Sequence, residues 1–262
     1  LDYLSNRESD KPFFLYLSHK AVHANFSPAK RHASLYSDRE IPIPLSQADT
    51  AENYRGKPMW VKNQRNSWHG VDFPYHSELN VQEYKRQYHR ALSAVDDSLG
   101  RINAWLKANN LDQNTAVILM GDNGFLFGEH GLIDKRCAYE ESMRIPMIAR
   151  WPGGLKSGAK VQQMVANIDV APTLLAAAGS SIPDSMDGRN FLPLAARAPS
   201  GEKVEWRREL LYEYYWERNY PQTPTVHALR GDRFKYIRYH GIWDVDELYD
   251  LESDPREQKN LI

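Results

Sequence analysis

The sequence has little cysteine, no long apolar run and almost no net charge. Its single cysteine, Cys137, excludes an intramolecular disulfide and any metal site built from several cysteines. No stretch of about 18 apolar residues occurs, so the sequence predicts no membrane span. The formal net charge of −1 provides no broad basic surface, which argues against nucleic acid as a partner. Small or neutral partners are therefore expected.

The chain nevertheless has enough apolar residues to form a packed core. Hydrophobic residues make up 42% of its 262 residues, a content typical of a globular protein. Residues 13–18, FFLYLS, are typical of a short buried strand. Residues 24–74 are polar and interrupted by prolines, which predicts a long surface excursion with little regular structure.

A long amphipathic segment follows the excursion. Apolar residues recur at steps of three and four from 81 to 110, which predicts a helix that ends at the Asn109-Asn110 pair. Residues 115–124, TAVILMGDNG, are typical of a buried parallel strand that runs into a loop. Residues 144–153 predict another strand. This succession of strands and helices predicts an α/β fold.

The last third of the chain has a different pattern. Residues 169–179 predict a helix with Asp169 as N-cap and Gly179 at its end. A polar stretch around 195–207 then marks a boundary. Beyond it, three alternating segments, 207–216, 227–239 and 246–251, predict a small antiparallel sheet. We therefore divide the chain into an α/β part, 1–195, and an antiparallel β subdomain, 196–262.

Polar side chains follow the two predicted strands at 13–18 and 115–124. Asp122 and Asn123 offer oxygen ligands that suit Ca²⁺ or Mg²⁺, although Asp-Asn-Gly is also common in plain turns. Beside a cation, Lys135 would hold an anionic ester oxygen and His23 would protonate a leaving group. Each is otherwise an ordinary solvated side chain.

The order of the motifs resembles the sulfatase family of the alkaline-phosphatase-like superfamily. The matching stretches are KPFFLYLSHKAVHANF (11–26), YHRALSAVDDSLGRI (88–102), VILMGDNGFLFGEHGLIDKR (117–136), YEESMRIPMIARWPGG (139–154), NIDVAPTLLAAAG (167–179) with MDGRNFLPL (186–194), and RGDRFKYIRY (230–239) with ELYDLESDPREQKNL (247–261). The resemblance covers nearly the whole chain outside the 24–74 excursion. It implies a partial mixed sheet flanked by helices, with the small antiparallel β subdomain at the C-terminus.

The resemblance also implies a sulfuric ester hydrolase and assigns roles to residues. Asp122 and Asn123 match the ligands of a divalent cation, usually Ca²⁺, with Mg²⁺ as the alternative. Lys135 matches the lysine that binds sulfate, and His23 matches the histidine that assists the leaving group. Arg136 is a further substrate contact. Such enzymes are usually periplasmic, secreted or lysosomal, although the sequence itself carries no address.

The nucleophile motif of the family is missing from this sequence. Sulfatases carry Cys or Ser in Cys/Ser-x-Pro-x-Arg and convert it to formylglycine, whereas Cys137 lies in CAYEE and SIPDS (181–185) lacks the arginine. We expect the chain to be the C-terminal part of a sulfatase, with formylglycine in the missing N-terminal portion. Alone, it should lack useful turnover and associate with that portion or with another copy.

The motifs are closest to N-acetylglucosamine-6-sulfatase-like enzymes, so a sulfated glycan is the expected substrate. Trp216, His227 and Arg230 are candidate sugar contacts by stacking or hydrogen bonding, although packing or surface roles are the simpler explanation for each. Two alternatives remain open at this stage. One is a phosphomonoester or phosphodiester hydrolase of the same superfamily, and the other is a non-catalytic glycan-binding or split-subunit chain.

Overall fold

A computed structural model describes residues 1–68, 74–197, 204–241 and 243–262. Helices α1 to α6 span Asp2–Ser5, Met59–Gln64, Val81–Ala108, Glu140–Met143, Val170–Ala177 and Leu192–Arg197. Strands β1 to β6 span Val117–Met120, Met147–Arg150, Glu209–Tyr214, Thr225–Gly231, Phe234–His240 and Glu247–Asp250. Single 3-10 turns lie at Lys30–His32, Leu45–Gln47, Glu129–Gly131 and Asn167–Asp169. The elements confirm the predicted α/β content.

The long helix α3 confirms the prediction for 81–110. It begins where the Asn80 side chain accepts a hydrogen bond from the Glu83 backbone N–H at 3.0 Å. It ends at Asn109, and Asn110 turns the chain with a φ of 56°. No helix among the described residues is both long and apolar enough to cross a bilayer.

The excursion 24–74 contains only short helical segments in its described part, as predicted, and 69–73 lie outside the described residues. Buried Arg90 of α3 holds it in place. Its guanidinium donates to the Leu35 carbonyl at 2.7 Å and to Glu83 at 2.7 Å. The first bond fixes Leu35 of the excursion on one face of α3. Trp60, Val61 and Gln64 of α2 are buried, so the predicted surface position is wrong for this part of the excursion.

The first two strands pair differently from the prediction. β1 and β2 are antiparallel, with Val117 opposite Arg150, so the expected parallel pairing of 115–124 is wrong for the described residues. Residues 13–18 form no strand and are largely exposed, with Tyr16 80% accessible. A strand requires a hydrogen-bonding neighbour, and none of the described strands pairs with this segment.

The C-terminal sheet has the predicted antiparallel order, β3-β4-β5-β6. A tight hairpin at Asp232 joins β4 to β5, with Arg230 opposite Lys235. Burial alternates along these strands, so one face of the sheet is buried and the other is more exposed. This buried face joins the main core, whose most buried members are Val61, Leu126, Leu132, Cys137, Ala138, Tyr139, Val226, Ala228, Ile237 and Tyr249.

The main core thus combines side chains from both predicted parts of the chain, so the C-terminal sheet supports the loop between β1 and α4. The predicted boundary around 195–207 includes residues 198–203, which lie outside the described residues. The predicted helix at 169–179 is α5, followed by Gly179 with a φ of 73°. The Asp169 side chain does not cap α5 but forms a buried ion pair with Arg207.

Candidate active site

The site loop, residues 121–136, connects β1 to the segment before α4 and is held by two backbone hydrogen bonds. The Gly124 N–H donates to the Ser142 carbonyl and the Leu126 N–H donates to the Asp134 carbonyl, both at 2.8 Å. A Cβ at Gly124 would lie 2.0 Å from the Glu141 carbonyl oxygen, so only glycine fits here. The loop therefore doubles back and brings its two ends together.

This folding brings together three of the predicted site residues. Lys135 Nζ donates to Asn123 Oδ1 at 3.2 Å, and the Asn123 N–H donates to Asp122 Oδ1 at 3.0 Å. Asp122 and Asn123 are both exposed. Their carboxylate and amide oxygens suit a hard divalent cation, and Ca²⁺ takes about six to eight such oxygen ligands. These residues therefore fit part of a cation site.

His23 belongs to a neighbouring segment that packs against the same loop. Phe26, three residues later, is buried with its ring 6.1 Å from Phe125 and 5.7 Å from Phe127, measured between centroids. The His23 side chain makes an exposed hydrogen bond, in which its Nδ1 lies 2.7 Å from the Ala24 carbonyl oxygen. Since a carbonyl only accepts, Nδ1 is the donor, and Nε2 is the nitrogen available for chemistry.

Arg136 contacts Asp134, a residue that the sequence pattern did not single out. Its Nη1 donates to Asp134 Oδ1 at 2.5 Å, while Gln64 Nε2 donates to Asp134 Oδ2 at 2.9 Å. Asp134 is buried and so links the site loop to α2. In the sequence, the one sign of Asp134 is its position between the GEHG and KR residues. Its partner Gln64 is 70 residues away, so no local pattern shows the contact.

The three candidate sugar contacts do not converge. Arg230 points to the buried side of β4, where its Nε lies 3.5 Å from Glu140 Oε1. His227 lies on the opposite, outer face, with Nδ1 2.6 Å from His240 Nε2. Trp216 lies beyond β3, and its indole donates to the Pro221 carbonyl at 3.2 Å. A single ligand cannot contact both His227 and Arg230, because the sheet separates them.

A second group of possible metal ligands consists of His130 in the site loop, Glu141 in α4 and Glu257 near the C-terminus. Burial lowers the pKa of His130 well below its usual range, with neighbouring lysines adding to the effect. Lys235 Nζ lies 2.7 Å from Glu257 Oε1 and so already supplies a cation to this carboxylate. His130 also stacks on Tyr139 with centroids 3.8 Å apart. The three side chains join the site loop to α4 and to the C-terminal tail, and the Lys235 ammonium occupies the position of a cation beside Glu257.

The single cysteine lies in the same core and is not poised for chemistry. Cys137 is buried, and burial raises the pKa of its thiol well above the usual range. A thiol that stays protonated is a poor nucleophile. The single cysteine of the sequence is therefore not an activated nucleophile in this structure.

The fold identifies the superfamily of the chain. A solved structure of a protein in complex with its substrate, D-glucosamine-2-N,6-O-disulfate, superposes on 99% of this chain with a TM-score of 0.85 and 27% identity. The chain thus has the fold of the alkaline-phosphatase-like superfamily.

The family follows from matches along the whole chain. Residues 1–180 match the sulfatase family, and residues 128–262 match the family described as N-sulphoglucosamine sulphohydrolase, C-terminal. The chain therefore belongs to the sulfatase family, whose members are typically metal-dependent.

Two curated relatives are similar to the chain over its whole length. The chain is 30% identical to an N-acetylglucosamine-6-O-sulfatase of Bacteroides thetaiotaomicron over 100% of its own length. It is 27% identical to a multifunctional alkaline phosphatase superfamily protein of Trinickia caryophylli, again over 100% of its length. It spans 56% and 53% of these relatives, and 63% of the solved chain. The chain thus corresponds to little more than half of such a protein.

Proposed function

We propose that this chain forms part of a sulfuric ester hydrolase that removes sulfate from sulfated glycans. The observation that carries the proposal is the contact between Lys135 Nζ and Asn123 Oδ1, 3.2 Å long, which joins an anion-binding residue to a cation ligand. Positive groups placed together suit sulfate ester hydrolysis, because negative charge develops on the sulfuryl and leaving oxygens.

Asp122 and Asn123 supply two oxygen ligands for the divalent cation, with Ca²⁺ as the proposed ion. When bound, the cation would polarise the sulfuryl oxygens and favour attack at sulfur. Two ligands alone bind such an ion weakly, so the remaining ligands belong to another part of the enzyme. This chain's contribution is to hold both oxygens on a loop that Gly124 fixes against α4.

Lys135 and His23 act on the ester itself. The Lys135 ammonium binds a sulfate oxygen, and its contact with Asn123 keeps it beside the cation ligands. With both ring nitrogens protonated, His23 keeps the Nδ1 proton on the Ala24 carbonyl and donates the Nε2 proton to the departing alcohol oxygen. Both actions stabilise charge that appears only in the transition state.

The proposed substrate class rests on the relatives. The Bacteroides thetaiotaomicron relative bears the name N-acetylglucosamine-6-O-sulfatase, and the solved relative binds a glucosamine disulfate. We extend this substrate to the present chain, with a 6-sulfated glucosamine unit as the group bound at Lys135. A phosphate ester is the rival substrate, since one relative is a multifunctional phosphatase-superfamily protein.

The nucleophile is proposed to come from outside these 262 residues. The sequence has no Cys/Ser-x-Pro-x-Arg motif, and Cys137 is buried with a raised pKa. We propose that a formylglycine-bearing N-terminal portion completes the site. The exposed segment 13–18, which has no strand partner among the described residues, is the proposed contact for that portion.

Calorimetric titration of the chain tests the site without requiring turnover. With Ca²⁺ present, N-acetylglucosamine 6-sulfate should bind more tightly than N-acetylglucosamine. Lys135→Met should weaken binding of the sulfated sugar by about tenfold or more, because a charge-assisted hydrogen bond is lost. Lys107→Met, in the last turn of α3, is the matched control and should change nothing. Equal affinity for both sugars would refute the proposal.

A further inference from the structure

Trp68 is 42% exposed although neighbouring residues contact its ring and backbone. Its ring stacks on Tyr220, with centroids 5.4 Å apart and planes 11° from parallel. Its backbone carbonyl accepts a short hydrogen bond from the Gln222 side chain. The indole is therefore fixed in orientation while much of its surface remains open to a ligand.

The Trp68 and Tyr220 pair adjoins the proposed sulfate site through Arg136. The Arg136 guanidinium carbon lies 3.3 Å from the centroid of the Tyr220 ring. Arg136 directly follows Lys135, so the two Cα atoms are about 3.8 Å apart. One side chain extends to Asn123 and the other to Tyr220. The residue that directly follows the anion-binding lysine therefore contacts the aromatic pair.

Buried hydrogen bonds preorganise this arrangement. Asp134 accepts from Arg136 and from Gln64, and Gln64 Nε2 also lies 3.3 Å from Thr223 Oγ1. Thr223 belongs to the loop that carries Tyr220. The site loop, α2 and the loop between β3 and β4 are therefore linked through Asp134 and Gln64. A preorganised surface binds a ligand more tightly because little ordering remains to be done.

We propose that Trp68, backed by Tyr220 and Arg136, binds a second sugar ring of the glycan, adjacent to the sulfated unit at Lys135. An indole offers a flat apolar face that packs on the C–H face of a pyranose. Glu217, 49% exposed in its side chain and 3.9 Å from Arg136 Nε, would accept hydrogen bonds from sugar hydroxyls. The inference rests on the proposed function and makes the substrate an oligosaccharide.

The test compares two ligands by calorimetry on the full chain. One is N-acetylglucosamine 6-sulfate, and the other is a disaccharide that carries the same sulfated unit. Trp68→Ala should weaken disaccharide binding by about tenfold and leave the monosaccharide affinity unchanged. Trp68→Phe should restore most of the loss. Trp243→Ala, which removes a fully exposed indole elsewhere, is the matched control and should affect neither ligand.

Two outcomes separate this inference from the proposed function. Suppose that Lys135→Met weakens the binding of both ligands. If Trp68→Ala then changes neither affinity, or lowers both equally, the second sugar site is wrong and the sulfate site stands. If Lys135→Met affects neither ligand, or the unmodified chain binds neither, the proposed function fails and the inference fails with it. An unchanged unfolding midpoint for Trp68→Ala establishes that the variant is folded.

Discussion

Gly124 lies where the site loop passes closest to the backbone of α4. A Cβ there would approach the Glu141 carbonyl oxygen to 2.0 Å, so Gly124→Ala should lower the free energy of unfolding by about 1–3 kcal/mol. Gly100 in α3 provides the control, since a Cβ there would meet no atom within 4 Å. Gly100→Ala should raise stability by about 0.5–1 kcal/mol. Urea unfolding measures the change in the free energy of unfolding for both variants. Changes of the same sign would contradict the proposed loop geometry.

Asp169 is a buried residue whose ionisation should affect stability in acid. Burial alone would raise its pKa, but hydrogen bonds from Arg207 and from the Ala166 and Arg189 N–H groups outweigh this and lower the pKa below its ordinary 3.8. A carboxylate with a lowered pKa stabilises the fold above the ordinary pKa. That stability is lost as the pH falls through the lower, folded-state pKa.

Asp169→Asn should therefore cost about 3–5 kcal/mol at neutral pH, because Arg207 is left buried without its partner. Its stability should also vary less with pH below about 4. Asp184→Asn, at an exposed carboxylate, should leave the neutral-pH stability unchanged. Denaturant unfolding at several pH values measures both effects. A variant that keeps the acid-dependent loss of the unmodified chain would contradict the role of this ion pair.

At the scale of elements, Lys235 joins β5 to α4 and to the C-terminal tail. Its ammonium lies 2.9 Å from Glu140 Oε1 and 2.7 Å from Glu257 Oε1, and it donates to the Ala138 carbonyl at 2.8 Å. Lys235→Met would leave two carboxylates without this cation and should cost about 3–5 kcal/mol. Arg208→Met breaks an exposed pair with Asp232 and should cost under about 1 kcal/mol. Similar losses in urea unfolding would contradict the importance of Lys235.

The sequence predicted the elements that depend on local pattern. The 3.6-residue period of α3 and the alternation of β4 and β5 are visible in the chain itself, and these elements formed near their expected bounds. The segment 13–18 has the same kind of local signal but forms no strand, because pairing depends on a neighbour distant in sequence. The antiparallel partner of β1 was missed for the same reason.

For the candidate site too, the sequence predicted the residues of a local motif but not the long-range contacts. Asp122, Asn123 and Lys135 stand close together in one motif, so their grouping followed from the sequence, although their roles remain a prediction. Asp134 owes its importance to Gln64 and Arg136, and only the folded chain brings Gln64 near it. A hydrogen bond between residues distant in sequence leaves no recognisable pattern in the chain, whereas a short contiguous motif can be recognised directly.

For the whole molecule, the exposed apolar segment 13–18 should govern association. Phe14 and Tyr16 are largely exposed although both are large apolar side chains, and such surface favours self-association in water. Sedimentation of the purified chain should show concentration-dependent association. Replacing both residues by serine should reduce it, whereas Leu45→Ser, at another exposed apolar position, should not. A monomer at all concentrations would contradict this prediction.

The most direct test of the sulfate-ester site is hydrolysis by the protein expressed with any reading frame upstream of Leu1. We predict a Cys/Ser-x-Pro-x-Arg motif in that frame and release of sulfate from N-acetylglucosamine 6-sulfate. Lys135→Met should lower kcat/KM by about 100-fold, and the 262-residue chain alone should release none. Preferred hydrolysis of the corresponding phosphate ester, or full sulfate release by Lys135→Met, would contradict the proposed site.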